Sequence, residues 1–309
     1  MIPEKYKKGR FFDVFSGTGV VADSAIGIFD EIIVNDLLFS NEIIYQAFFG
    51  SGKYSKKRLE EFAVKANTTL AKSKKTNYFE KNFGNKFFSK ESARQIGNIR
   101  EAIEKGKYSQ REKAILIASL IYSADRIANT VGHYEAFRKK DKSFKPFVFR
   151  LISPYTEVKS RIYREDSNEL AKKIKCEVAY VDPPYNSRQY SRFYHVLETL
   201  TKWDKPKLSG VALKPPLENL SKYCTVSAPE AFEDLINSLQ AKVIVVSYNN
   251  TYKSKSSSSK NKITLEQITK IMRAKGSTKI KKIEHKYFSA GKTDFENHLE
   301  YLFVTEVGK

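Results

Sequence analysis

The chain has 309 residues and a formal net charge of +20, from 55 Lys and Arg against 35 Asp and Glu. A hydrophobic fraction of 41% is enough for a real core and excludes wholesale disorder, while two cysteines, Cys176 and Cys224, exclude a disulfide framework or a Cys-rich zinc site. The longest strongly apolar uncharged run, Ala114 to Ala124, is too short to cross a bilayer and no basic-then-apolar leader opens the chain, so the expectation is a soluble, cytoplasmic protein with a polyanionic partner and no membrane.

Phe11 to Phe15 reads as a short buried strand, followed by the turn Ser16-Gly17-Thr18-Gly19 and a helix from Val20 to Gly27. Glu31 to Asn35 is a second, β-branched strand that runs into Asp36 and Leu37. Together they read as a βαβ unit. Another helix spans Ser40 to Phe48, with Ser40 as its N-cap. From Gly50 to about Lys145 strand-like runs disappear. Lys and Arg interleave there with Tyr54, Phe62, Tyr78, Phe79, Phe83, Phe87 and Phe88. Gly50 to Lys113 holds 17 Lys and Arg against 7 Asp and Glu, so half the excess charge lies in this one segment. Charge clustered in this way steers a phosphate backbone. Glu112 to Ala128 has apolar residues at helical spacing.

The α/β pattern resumes near Glu177. Val178 to Val181 is a buried strand that stops at Asp182-Pro183-Pro184-Tyr185. Trp203 to Pro216 reads as an extended loop, Ala228 to Gln240 as a helix, and Lys242 to Tyr248 as a strand. Thr251 to Lys262, with four lysines and no acid, reads as a solvated loop. Thr264 to Ala274 is a helix, and Lys281 to Phe288 and Leu299 to Thr305 are terminal strands. This alternation predicts an α/β fold with a doubly wound, mostly parallel sheet. Residues 1–49 and 146–309 would form the catalytic part, with 50–145 a basic helical insertion.

Two motifs carry chemistry. The first is Asp13-Val14-Phe15-Ser16-Gly17-Thr18-Gly19, where two glycines let the backbone turn tightly and approach a ligand. Asp36, at the end of the next strand, is placed to accept ribose hydroxyls. Taken alone, Gly17-x-Gly19-x-x-Ala22 also satisfies a loose dinucleotide fingerprint. Asp13 discriminates: a carboxylate just before the turn suits the ammonium of a methionine moiety and repels a pyrophosphate. The second motif is Asp182-Pro183-Pro184-Tyr185. Two prolines remove two N–H donors, which leaves the Asp182 carboxylate and the Pro183 carbonyl as convergent acceptors, and Tyr185 adds a flat ring. Acceptors beside a ring suit an exocyclic amine on a flat base.

In this order the two motifs resemble the N6-adenine DNA methyltransferases, and with an insertion between them the D12 class, or alpha group, of type II restriction-modification systems. The resemblance covers nearly the whole chain, including 128–135 and Tyr163 to Ser167. It implies a Rossmann-like fold, S-adenosylmethionine as cofactor, double-stranded DNA as substrate and a cognate restriction endonuclease acting on the same site. It also implies cofactor binding by Asp13, Phe15, Ser16, Gly17, Thr18, Gly19, Asp36, Leu37, Asp166 and Ser167, and catalysis by Asp182, Pro183, Pro184 and Tyr185. Asp166 reads equally as a helix cap before Asn168. Members of the class usually begin with a segment like Asn-Tyr-Ile-Gly-Ser-Lys that lines the methionine pocket. Here only Met1 to Arg10 precede the first strand, so another wall, or weaker cofactor binding, is expected.

His133, His195, His285 and His298 lack metal-ligand spacing, so no metal site is expected. Phe193 and Tyr194 are candidates for stacking on an extruded base, and for core packing. Three other readings stay open at this point: an RNA N6-adenine methyltransferase, a nicotinamide oxidoreductase, and a DNA-binding protein whose cofactor site has decayed.

Overall fold

Short apolar, β-branched runs bounded by turns become the strands of one mixed sheet. The computed structural model describes residues 2–139, 144–155, 157–249, 260–284 and 299–308. The sheet comprises β1 (Arg10–Asp13), β2 (Glu31–Asn35), β3 (Ser160–Tyr163), β4 (Lys175–Val181), β5 (Gln240–Asn249), β6 (Gly276–Glu284) and β7 (Leu299–Val307). Its order is β3-β2-β1-β4-β5-β7-β6. Neighbours from β3 to β5 are parallel, and β7 runs antiparallel between β5 and β6. The chain winds outward from β1 through β2 to β3, then crosses to β4 on the other side of β1. The order therefore reverses between β1 and β4, and ligands of open α/β sheets bind at such a switch point, beyond the carboxyl ends of the strands. This is the doubly wound α/β sheet expected from the sequence.

The chain forms two compact units, Met1–Leu37 with Val158–Gln189 and Asn219–Lys309, and Leu38–Glu157 with Tyr190–Glu218. The first holds the sheet with α1 (Val20–Ala25), α8 (Ser167–Ala171), α11 (Ala228–Ser238) and α12 (Leu265–Lys275). Alternation divides its strand residues between two faces. Phe12, Val14, Ile33, Ala179, Val181, Ile244, Val246 and Phe303 share a core with Leu170, Phe232, Leu235, Ile268 and Met272 of α8, α11 and α12. Asp13, Tyr180 and Asp182 consequently belong to the opposite face.

The second unit is helical: α2 (Phe39–Phe48), α3 (Lys56–Asn67), α4 (Thr69–Lys72), α5 (Tyr78–Phe83), α6 (Lys90–Lys105), α7 (Gln110–Asp125), α9 (Tyr190–Phe193) and α10 (His195–Lys202). It takes in residues 38–49, 146–157 and 190–218, which the sequence places with the catalytic part, because α2 packs on α7, α10 packs on both, and Phe149 N and Arg150 N donate to Asn67 Oδ1 and Ser123 Oγ. Phe79, Phe83, Phe87 and Phe88 are fully buried, so the aromatics that interleave with lysines are the core of this unit. Ser40 is not the cap of α2. The buried carboxylate of Glu198 accepts from Phe39 N at 3.1 Å and Ser40 N at 2.7 Å, placing a charge on the positive end of the helix. A cap from 158 residues away leaves no local sequence signal.

Several boundaries differ from expectation. β1 ends at Asp13, since Val14 and Phe15 already lead into the turn, and β3 went unread because Ser160–Tyr163 is short and half exposed. Most of the expected Thr251 to Lys262 loop, the end of the strand expected to reach Phe288, and His285 and His298 lie outside the described residues.

Candidate active site

The glycine turn is built from the end of β1. Ser16 Oγ donates to Asp13 O at 2.8 Å, and Gly19 N donates to Ser16 O at 2.7 Å. Gly17 and Gly19 have φ of 52° and 82°, the left-handed region that a side chain disfavours. A Cβ added at Gly17 would meet nothing within 4 Å, so the turn fronts open space. Gly17 N donates to Asp36 Oδ2 at 3.1 Å, which ties the turn to the end of β2. Thr18 is exposed, Leu37 is half-buried, and Phe15 sits edge-on to Tyr223 at 5.0 Å.

Asp13 is the unusual group. It is 1% exposed, and neither carboxylate oxygen has a hydrogen-bond partner among the described residues. Burial, followed by the charge of Asp182, pushes its carboxyl well above the usual range. A buried, unpaired carboxylate is costly unless a cation arrives. The ammonium of S-adenosylmethionine is such a cation, so the donor set fits that cofactor and not a dinucleotide pyrophosphate.

Asn35, in sequence no more than a strand end, holds the neighbouring wall. It is fully buried, and its Nδ2 donates to Val14 O (3.3 Å), Glu165 O (3.1 Å) and Ser167 Oγ (3.2 Å), while its Oδ1 accepts from Glu165 N (3.0 Å). One amide thus joins β1, β2 and the start of α8. The signal was a polar residue closing the apolar run Ile32-Ile33-Val34. Ser167 is buried and donates to Val14 O at 3.3 Å, so its hydroxyl is engaged inside the protein. Asp166 Oδ1 caps α8, accepting from Asn168 N and Glu169 N at 3.0 and 3.2 Å. Both of those bonds use Oδ1.

The second motif sits at the end of β4, directly beside β1. Asp13 is level with Tyr180, so Asp182 follows two residues beyond. Asp182 is open to solvent and makes no ion pair among the described residues, yet surrounding protein desolvates its carboxyl. That desolvation first, then the charge of Glu300, pushes its pKa up to about 7. Pro183 and Pro184 are buried and stiffen the turn. Tyr185 is 5% exposed, packs edge-on to Tyr248 at 4.9 Å, donates its hydroxyl to Ser247 O, and accepts from Lys262 N at 2.6 Å through its carbonyl. The ring expected to lie open for stacking is instead part of the core, and it anchors the acceptor turn to β5.

Residues 1–287 match the family model described as D12 class N6 adenine-specific DNA methyltransferase. The chain belongs to that family. It is 29% identical to the type II methyltransferase M.NlaIII of Neisseria lactamica, an alignment covering 96% of this chain and 90% of that protein. It is 31% identical to the modification methylase StsI of Streptococcus sanguinis and 29% identical to the type II methyltransferase M.FokI of Planomicrobium okeanokoites, in each case over 96% of this chain. It spans 47% and 48% of those two proteins. As a D12 methyltransferase the chain uses S-adenosylmethionine and acts on adenine in DNA. No described helix is long and apolar enough to cross a membrane.

The amino-terminal segment and His195 have structural roles. Residues 2–10 lie at the amino edge of the sheet, where Gly9 O accepts from Asp30 N and Glu31 N and Gly9 N donates to Asp30. They do not line the glycine-turn pocket. His195, far from any ligand role, is fully buried, with its ring nitrogens 3.0 and 2.8 Å from the carbonyls of Arg192 and Ala212.

Proposed function

We propose that this methyltransferase modifies one adenine in a specific duplex sequence, as the protective half of a restriction-modification pair. The observation that carries the site assignment is Asp13, buried without a partner, one strand from the accessible Asp182. Asp13 takes the ammonium of the cofactor, Asp36 its ribose, and Asp166, through Oδ2, its adenine. Phe15, Ser16, Gly17, Thr18, Gly19 and Leu37 shape the pocket, with Ser167 acting from behind it. When bound, S-adenosylmethionine supplies a methyl group on a sulfonium, an electrophile in need of a nucleophile.

The target amine is a weak nucleophile because its lone pair is delocalised into the purine. Asp182 and the Pro183 carbonyl each accept one N6–H, which localises that pair and aims it. The ionised Asp182 carboxylate then stabilises the positive charge that grows on N6. A stacked base is out of reach, so the adenine is flipped out of the duplex at a cost of a few kcal/mol. Tyr185 serves to hold the Asp-Pro-Pro turn from the core.

Segment 50–145 grips the duplex. Several of its cations are committed to structure: Arg58 to Glu112, Arg94 to Glu80, and the buried Arg100 to Glu104 and the carbonyls of Leu200 and Thr201. Lys72, Lys74 and Lys75 are exposed and form no ion pair among the described residues, which suits phosphate contact. Relatives named as type II methyltransferases and modification methylases support a cognate endonuclease as the functional partner and a cytoplasmic, nucleoid-associated setting.

The test is methylation-sensitive sequencing of DNA from cells expressing the chain, beside Asp182→Ala. N6-methyladenine at one short recurring sequence, lost in the variant, is expected. Unmethylated DNA, or modification that persists in the variant, overturns the reading.

A further inference from the structure

Asp182 shares its face of the sheet with a second carboxylate. Val181 is level with Val246 and Val246 with Phe303, and all three enter one core along with Tyr301. Alternation therefore puts Leu302 and Glu300 of β7 on the face that carries Tyr180 and Asp182. Glu300 lies opposite Asn249, at the carboxyl end of β5, and is half-buried. After desolvation, its charge is what raises the proton affinity of Asp182, and it acts on Tyr180 as well. Asp182 in turn acts on Asp13 from β1, Tyr180 from β4 and Tyr185 from the turn. No lysine or arginine among the described residues pairs with Asp182. No group of three or more His, Cys, Asp or Glu among those residues is arranged to hold a metal, so these acids are not a cation cage.

We propose that Glu300 is a positioning residue of the methyl-transfer site, a carboxylate on the acceptor side that acts on Asp182 across one face of the sheet. This rests on the role given to Asp182 above. Transfer moves a unit of positive charge from sulfur to N6, and an anion already in place on the N6 side favours that movement. Two carboxylates on one face of the sheet, separated by β5, also resist joint ionisation, so Glu300 delays the ionisation of Asp182 as pH rises. Nothing local marks Glu300, which stands 118 residues beyond Asp182 in what reads as a plain terminal strand.

Glu300→Gln tests the assignment. The acid limb of kcat/KM should move down by about half a pH unit or more, while kcat on the alkaline plateau falls about threefold to tenfold. KM for S-adenosylmethionine should hold. Glu306→Gln, at the other end of β7, should change neither quantity. A second measurement does not need turnover: the carboxyl resonance of Asp182, assigned with Asp182→Asn in 13C-labelled protein without DNA, should titrate at lower pH in Glu300→Gln. An Asp182 titration that stays put in the folded variant overturns the inference. A wild-type protein that fails to methylate DNA overturns the functional reading instead, and the titration still decides the role of Glu300.

Discussion

The glycine-turn pocket and the Asp-Pro-Pro-Tyr rim lie on adjacent strands but keep their carboxylates in opposite ways. In the pocket almost every polar group is committed: Ser16 to Asp13 O, Asn35 to three acceptors, Ser167 to Val14, Asp166 to the start of α8. Asp13 alone is left over, sealed from water. At the rim the prolines have removed donors, Tyr185 fixes the turn from beneath, and Asp182 faces solvent. A prearranged site with one unmet charge suits a ligand that binds and stays. An accessible acceptor on a rigid turn suits a substrate that arrives, reacts and leaves. The difference separates binding from chemistry, and substitutions should separate them too.

The largest effect should come from Asp182→Ala, with kcat down about a thousandfold or more and S-adenosylhomocysteine binding nearly intact by calorimetry. In the wild type, methyl incorporation should rise with pH through about 7 as Asp182 ionises. The folded carboxyl binds its proton more tightly than the unfolded one. Its contribution to stability is therefore whole below the ordinary carboxylate range and is lost as pH climbs toward 7. Asp182→Asn should melt higher than wild type at neutral pH and match it in acid.

Asp13→Asn should do the reverse to function. Cofactor affinity should fall about tenfold to a hundredfold through the lost charged contact, with kcat at saturation changed far less. The ligand-free variant should be more stable than wild type at pH 7 to 8, because the buried charge is gone, and equal to it at low pH. If Asp13→Asn mainly lowers kcat, the division between the two regions fails.

Asn35→Ala should weaken both stability and cofactor binding. Four polar groups, Val14 O, Ser167 Oγ and the N and O of Glu165, would lose a partner, at about 1–3 kcal/mol each where they are buried and before relaxation. Thermal melting with and without S-adenosylhomocysteine reads both effects. Tyr185→Phe should be the mildest, leaving the Ser247 carbonyl unpaired and lowering kcat about twofold to fivefold. A loss as large as that of Asp182→Ala would return the hydroxyl to the chemistry.

Much of this was legible in the residues. The turn needs glycine where φ is positive, the strand before it needs apolar side chains, and paired prolines after Asp182 can only stiffen and remove donors. Those are local demands, written within a few positions. Asn35, Glu198 and Glu300 were not legible, because each does its work on groups distant in the chain. A polar residue that ends a strand looks the same whether it meets water or four buried partners.

The sequence by itself determined the element types, the two motifs and their order, and hence the family and its chemistry, since each depends on nearest neighbours and backbone sterics. Tertiary structure alone decided which carboxylate is sealed and which is open, which lysines are spent on ion pairs, and which strand brings Glu300 to the face of Asp182. Burial and electrostatics depend on everything within several ångströms, and only the packed sheet and helices say what that is.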